Sequence, residues 1–484
     1  MLNNSSKHQS LTWYTWGLIG IFIFSLCLRF WGLGRFNSLV FDEVYYAKFA
    51  NNYLTHTKFF NAHPPLSQYI IAVGIWLGDL LPIGHDTANN LTGSWRSTFS
   101  YRWFNAIFGS FIPIVVGGMA YHLTKRPSYM VIAAGLMSLE GLFLVDSRYA
   151  LNNVFLVLFG ILGQLWLLMG LSATGWQRAV LGMSSGLFFG LSIACKWNGL
   201  WFLLGIWLLL GVIVVHQILT RRPTTAIQDC PPDTEPSILV QLSRLQVWEI
   251  LIYLLIVPAL VYLVSWIPHL QQNPLPNLWE MQSQILHYHE KIKNGKAVHP
   301  YCANWYTWPL MLRPLAYYYQ VVKTGGTNNL DTVYDVHAMG NPFLWWFAFG
   351  AILTMTGQFL NRLITGVAWE LNRPDVAIPI FFLANYGANL FPWIRVTRCV
   401  YIYHYMGSLV FAVLALAWLI DRWLHSASPE LRGRAITAIF IVAAAFVWWL
   451  PVYLGLPLSP PELAGRMWFN ENTWKAIGEI WNWI

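Results

Sequence analysis

Apolar residues run along this chain in stretches of about twenty, and polar and charged positions collect in the short gaps between them. Wound as an α-helix rising about 1.5 Å per residue, such a stretch matches a hydrocarbon layer roughly 30 Å thick. The pattern predicts eleven membrane-spanning helices, near 11–33, 103–123, 128–145, 152–171, 178–195, 199–219, 248–268, 342–361, 376–392, 399–420 and 434–455. Each run is about twice as long as a strand of an outer-membrane barrel, so helices are predicted throughout. The apolar stretch 69–81 is too short to cross and predicts a helix lying in the interface. Lys7 before the first run suits a signal peptide. The apolar core there is too long and no small-residue cleavage site follows, so it reads as a retained span.

Composition mainly excludes alternatives. Hydrophobic residues make up 56% of the 484 and charged residues 10%, far from the roughly 25% charged of a soluble domain. A formal charge of +8 would suit nucleic acid only if it formed a patch, and the basic residues lie in separate loops. Their placement orients the chain instead. With the N-terminus cytoplasmic, Lys125, Arg126, Arg178, Arg221, Arg222, Arg244, Arg362, Arg373, Arg422, Arg432 and Arg434 fall in cytoplasmic loops, as the positive-inside rule requires. Eleven spans then place the termini on opposite sides and leave 34–101 and 269–341 outside. The chain divides into an N-terminal membrane region, 1–268, the long outer loop 269–341 and a C-terminal membrane region, 342–484. Segment 220–247, with Cys230-Pro231-Pro232-Asp233, reads as a turn-rich cytoplasmic linker. Cys27, Cys195, Cys230, Cys302 and Cys399 are scattered and form no CxxC pair, indicating neither a disulfide framework nor a thiolate metal site. The aromatic residues, 17% of the chain, suit interfacial belts at the span ends.

Candidate chemistry comes from charges where lipid makes them costly. Toward the outer ends of spans and in the outer loops lie Arg29, Asp42, Glu43, Lys48, His63, Arg96, Arg102, Asp146, Arg148, Lys196, Arg395, Arg398 and His404. Any one of these cations could snorkel to the headgroups, and Asp146 reads as a partner of Arg148 or a neighbour. Together they deliver basic residues from six spans to one face, opposite two adjacent carboxylates that open the first outer loop. Arg forks bind phosphate oxygens bidentately, so the pattern suits an anionic lipid headgroup and a phosphate leaving group. A transporter would favour spans broken near the midplane.

At Phe41-Asp42-Glu43-Val44-Tyr45-Tyr46, followed by Phe60-Asn61-Ala62-His63-Pro64-Pro65-Leu66, the sequence resembles the protein O-mannosyltransferase family of polytopic GT-C glycosyltransferases. The likeness continues through His299-Pro300-Tyr301-Cys302, Trp305-Tyr306-Thr307-Trp308-Pro309-Leu310, Arg313-Pro314, Gly340-Asn341-Pro342 and Tyr403-His404-Tyr405. Two departures stand out: Tyr45 replaces the His that many members carry, and 269–341 is too short for the β-trefoil insert of eukaryotic members. The resemblance is to a prokaryotic-type member, which implies the plasma membrane.

The resemblance implies an all-α GT-C bundle of about eleven spans, with interface helices in the first outer loop. It implies transfer of mannose from a polyprenyl-phosphate carrier to a Ser or Thr hydroxyl of an acceptor polypeptide, with inversion. Asp42 and Glu43 are the candidate catalytic pair: Asp42 as base and acceptor-binding residue, Glu43 organising the loop or binding a nearby cation. Candidate substrate-binding residues are Arg29, His63, Arg102, Arg148, Lys196, Arg395, Arg398 and His404, with Arg395 and Arg398 the preferred phosphate clamp. His63 could instead cap a helix, and His404 could be a packed neutral histidine. An Asp-Glu pair with one His makes an incomplete metal site, so no cofactor is indicated and a divalent metal stays open. The implied partners are the lipid donor, the acceptor protein, membrane lipid, and a second copy or a relative as dimer partner, with no nucleic acid. Two other readings stay open: a GT-C transferase acting on a lipid or glycan, and a flippase for polyprenyl-linked sugars.

Overall fold

A computed structural model describes residues 2–81, 83–220, 236–295, 297–323, 331–366, 369–470 and 481–484. Most of the predicted linker, 221–235, lies outside the described residues. In chain order the elements are α1 (Leu2–Phe30), α2 (Glu43–Leu54), α3 (Leu66–Gly78), strands β1 (Ala88–Leu91) and β2 (Ser94–Ser97), α4 (Thr98–Thr124), α5 (Pro127–Ser138), α6 (Gly141–Asp146), α7 (Asn153–Leu171), α8 (Gly175–Cys195), α9 (Leu200–Thr220) and α10 (Ile238–Ser243). There follow α11 (Val247–Gln272, which includes a π turn), α12 (Leu278–Lys291), β3 (Leu315–Val322), β4 (Thr332–Ala338), α13 (Pro342–Thr365), α14 (Pro374–Leu390), α15 (Met406–Leu424), α16 (Pro429–Leu454) and α17 (Pro460–Ala464).

Among the described residues ten helical segments are long and apolar enough to cross a membrane, which makes this a multi-pass membrane protein. The third predicted span, 128–145, is two helices, α5 and α6. Glu140 is extended and its carboxylate accepts from the Phe143 backbone N–H at 2.6 Å, so a capping side chain competes with the helix that would otherwise continue. Gly141 lets the Tyr453 ring pack against the break, where a Cβ would lie 2.3 Å from that ring. Other boundaries follow ordinary end signals. Ser97 caps α4 through the Ser100 N–H, and Asn341-Pro342 and Ser428-Pro429 open α13 and α16.

The core lies around α15, which is buried along nearly its whole length and packs on α13, α14, α5 and α16. A second layer joins α7 to α8 and α4. By contrast α1 and α11 turn most of their apolar surface outward. The all-α expectation is adjusted by two small antiparallel hairpins, β1 with β2 and β3 with β4, one in each of the two long loops.

The structure corrects the reading of the cysteines. Cys302 and Cys399 form a disulfide across 97 residues, with Cα atoms 5.2 Å apart, while Cys27 and Cys195 are free. Only the fold brings the two partners into reach, so spacing along the chain carried no sign of the bond. Two backbone hydrogen bonds flank it, Cys399 N–H to the Lys293 carbonyl at 3.0 Å and Ala303 N–H to the Val400 carbonyl at 2.8 Å.

Candidate active site

The loop between α1 and α2 turns at Phe41, whose φ of 50° places a bulky residue in the left-handed region. The Phe41 ring stacks on Tyr317 with centroids 4.5 Å apart. That contact holds a turn which local sterics disfavour by about 1 kcal/mol. Asp42 follows at the N-terminus of α2 and Glu43 opens the helix itself.

Glu43 is fully buried and fully engaged. One carboxylate oxygen accepts from Arg102 Nε at 2.8 Å and the Ala150 N–H at 2.9 Å; the other accepts from an Arg102 terminal nitrogen and the Val40 N–H, both at 2.8 Å. Arg102 spends its remaining donors on the carbonyls of Leu33, Phe36 and Ser38. Glu43 is therefore not placed to take a proton, and Arg102 is not free for substrate; the pair ties the loop to α4. Arg148 likewise donates to the carbonyls of Leu28, Arg29 and Trp31 at 2.7–3.1 Å, closing the C-terminus of α1. Arg29 donates to Ser25 Oγ at 2.6 Å and lies within electrostatic reach of Glu140. The predicted substrate roles of Arg29, Arg102 and Arg148, and the catalytic grouping of Glu43, thus meet a structure in which these groups hold the frame. Asp146 pairs with the Tyr317 hydroxyl at 2.8 Å and Asn153 at 3.2 Å, not with Arg148.

The other candidates gather at a cavity of about 310 Å³. His63, Lys196, Arg395 and Arg398 line it, while Asp42 and His404 sit beside it within electrostatic range of Lys196. Lys196 follows the end of α8, with its ammonium 3.4 Å from Asn153 Oδ1 and 5.2 Å from the Tyr403 ring. Arg395 and Arg398 lie on the segment between α14 and α15 that the disulfide fastens. His404 stacks on Trp308, meets Trp393 edge-on and shares Nδ1 with the backbone of Tyr401. Its buried Nε2 has no partner.

Asp42 differs from Glu43 in every respect that matters to chemistry. Among the described residues no hydrogen bond or ion pair engages its carboxylate, and its side chain makes no capping bond to α2. Burial pushes the Asp42 carboxyl up to about 6, with Lys196 opposing and Asp146 adding to the rise. Burial also holds His63 and His289 well below the ordinary histidine value, His289 at about 4, and the Lys196 and Arg398 cations add to both. The two rings, 5.1 Å apart, act as neutral hydrogen-bonding groups. Among the described residues no three His, Cys, Asp or Glu side chains come together as a metal site requires.

Sequence reading missed His289 on α12 and the wall of Trp197, Trp201 and Trp393. His289 meets the Ala62 carbonyl at 3.0 Å, which docks α12 on the Asn61-Ala62-His63 turn. The tryptophans were accounted for as interfacial belts; the signal available was Trp197 directly after Lys196 and Trp201 five residues on.

The family model described as dolichyl-phosphate-mannose-protein mannosyltransferase matches residues 19–272, and that of the C-terminal four-span region of protein-O-mannosyltransferase matches 274–474. The chain belongs to the protein O-mannosyltransferase family. It is thus a glycosyltransferase by family. Among its relatives is the polyprenol-phosphate-mannose--protein mannosyltransferase of Mycolicibacterium smegmatis, 24% identical over 89% of this chain and 86% of that protein. The Mycobacterium tuberculosis protein of the same name is 23% identical over 97% and 91%. This family member also shares its fold with the S. cerevisiae protein O-mannosyltransferase Pmt1-Pmt2 complex bound to the sugar donor, at a TM-score of 0.72, 15% identity and coverage of 95% and 93%.

Proposed function

We propose that this protein transfers mannose from a polyprenyl-phosphate carrier to a Ser or Thr hydroxyl of an acceptor polypeptide, with inversion at the anomeric carbon. The observation that carries the reading is a half-buried carboxylate, without a hydrogen-bonding partner among the described residues, within electrostatic range of Lys196, which lines a cavity together with Arg395 and Arg398. Asp42 accepts the hydroxyl proton as the acceptor oxygen bonds to the anomeric carbon and the bond from that carbon to the phosphate oxygen breaks. The departing polyprenyl phosphate keeps the electron pair, and the guanidinium and ammonium groups stabilise it in a site screened from water. A phosphate leaves without protonation, so the second carboxylic acid of an inverting glycosidase has no counterpart to find here. A base titrating near 6 is better matched to neutral pH than an ordinary aspartate. The names of the mycobacterial relatives support the same donor and acceptor.

Two features support an extracytoplasmic cavity. Basic loops cluster at the opposite helix ends, and a disulfide fastens the segment that carries Arg398, a bond that persists on the oxidising side of a membrane. Assembly with a second copy or a relative would cover part of the outward surface of α1 or α11.

The deciding assay uses purified protein in detergent, where no compartments exist, with labelled polyprenyl-phosphate mannose and an acceptor peptide. Label entering the peptide supports the reading. Label entering lipid or glycan points to another acceptor class, and no transfer at all points to a flippase.

A further inference from the structure

The end of the bundle remote from the catalytic cavity carries a larger polar opening that the reaction does not use. A cavity of about 600 Å³ lies between the C-terminus of α4, the N-terminus of α14 and the C-terminal part of α15. Through Asp375, Trp418 and Arg422 it continues into a second of about 540 Å³ toward α13 and α16. The 17 residues of α14, at about 1.5 Å each, separate it from the Arg395 segment by about one hydrocarbon thickness.

Its charge is one-sided. Among the described lining residues stand Lys125, Arg126, Arg362, Arg373 and Arg422, against a single carboxylate, Asp375. Asp375 is shared by Arg362 at 2.9 Å and Arg373 at 3.0 Å, and Arg126 pairs with Asp421 behind the wall at 2.9 Å. Arg422 and Lys125 are left over. The Arg422 guanidinium lies over the Trp418 ring at 4.7 Å, which fixes its plane without neutralising it. Lys125 ends α4 in the left-handed region, φ 57°, with its ammonium beside His122 at 3.4 Å. Leu123, Ile238 and Ile378 supply apolar wall next to these cations.

We propose that this opening binds the phosphate of an anionic phospholipid in the leaflet opposite the catalytic cavity, with Arg422 and Lys125 on the phosphate oxygens and the acyl chains against the apolar wall. A planar guanidinium and a point cation beside an apolar wall suit a phosphodiester headgroup, and basic pockets between spans serve that purpose generally. The site is independent of the transfer reaction.

The test titrates the purified full-length protein with phosphatidylglycerol, phosphatidylcholine or inorganic phosphate, and reads bound lipid by native mass spectrometry. Phosphatidylglycerol should bind and phosphatidylcholine should not. R422A and K125A should each weaken binding about fivefold, and together about twenty-five-fold, the effect of removing one cation, then two, from beside a phosphate headgroup. Arg422→Lys should weaken binding less than R422A, and each variant should keep its transfer activity in phosphatidylcholine, which shows that it is folded. Equal phosphatidylglycerol binding by wild type and double variant, or equal binding of the two lipids, would overturn the proposal. Displacement by millimolar inorganic phosphate would overturn the lipid as source and leave a free-anion site.

Discussion

Asp42 and Glu43 are adjacent in sequence, yet the carboxylate of Glu43 is satisfied on both oxygens while that of Asp42 lies in a region in which charge is left over. Around Glu43, two backbone N–H groups and a bidentate arginine saturate four acceptor positions, and Arg102 completes its own valence on three carbonyls. Around Asp42, three cations line a cavity and the carboxylate has no hydrogen-bonding partner among the described residues. The Glu43 arrangement stabilises a loop; the Asp42 arrangement stores electrostatic potential for a ligand. A helix start is the physical device that separates them. The residue before the first turn is left half-buried, and the one after it turns back into the bundle.

Breaking the comparison at its sharpest point should give the largest effect. Asp42→Asn should lower the transfer rate by about 10²- to 10⁴-fold, the range that general-base catalysis supplies, in the labelled-peptide assay. The same variant should melt no lower than wild type. The folded pKa of Asp42, about 6, lies above its unfolded value. The folded state therefore favours the proton, and ionised Asp42 costs stability that is full above about pH 6. The neutral amide removes that cost. A clear drop in melting temperature would place Asp42 in the satisfied region instead.

Glu43→Ala should do the opposite, leaving Arg102 buried and uncompensated at about 3–5 kcal/mol of stability, seen as a loss of folded protein in detergent melts. A variant that is stable but inactive would shift chemistry onto Glu43. Arg398→Ala should raise the donor KM by about 10- to 100-fold, the worth of one or two charged hydrogen bonds, with the peptide KM unchanged. Unchanged donor dependence would remove Arg398 from the clamp. The smallest effect is on pH: kcat/KM should be level above about 6 and fall tenfold per unit below it as Asp42 gains its proton, a limb that Glu43→Gln should leave in place if that variant folds.

The spans and the outer cavity were legible because membrane helices are long, and because an aspartate or arginine at a span end has few harmless explanations. Asp42, His63, Lys196, Arg395, Arg398 and His404 follow from that logic, and the structure brings them together. Arg102 and Arg148 satisfy the same logic for another reason: backbone carbonyls at the end of α1 and in the loop after it need donors as much as a phosphate does, while Arg29 donates to Ser25 within α1. Sequence alone does not tell the two needs apart. The break at Glu140 was hidden because its flanks are apolar enough to count as one run. His289 was hidden because α12 lies in a loop with no membrane pattern to single out one of its histidines.

The Cys302–Cys399 bond makes the segment that carries Arg395 and Arg398 a product of maturation as well as of translation. A newly inserted chain carries two thiols about a hundred residues apart, and the segment bearing the arginines gains its covalent anchor only once an oxidant has joined them. Cells short of thiol-oxidising capacity would accumulate fully inserted but poorly glycosylating protein, so output would track the redox supply of the compartment and not the amount of polypeptide made.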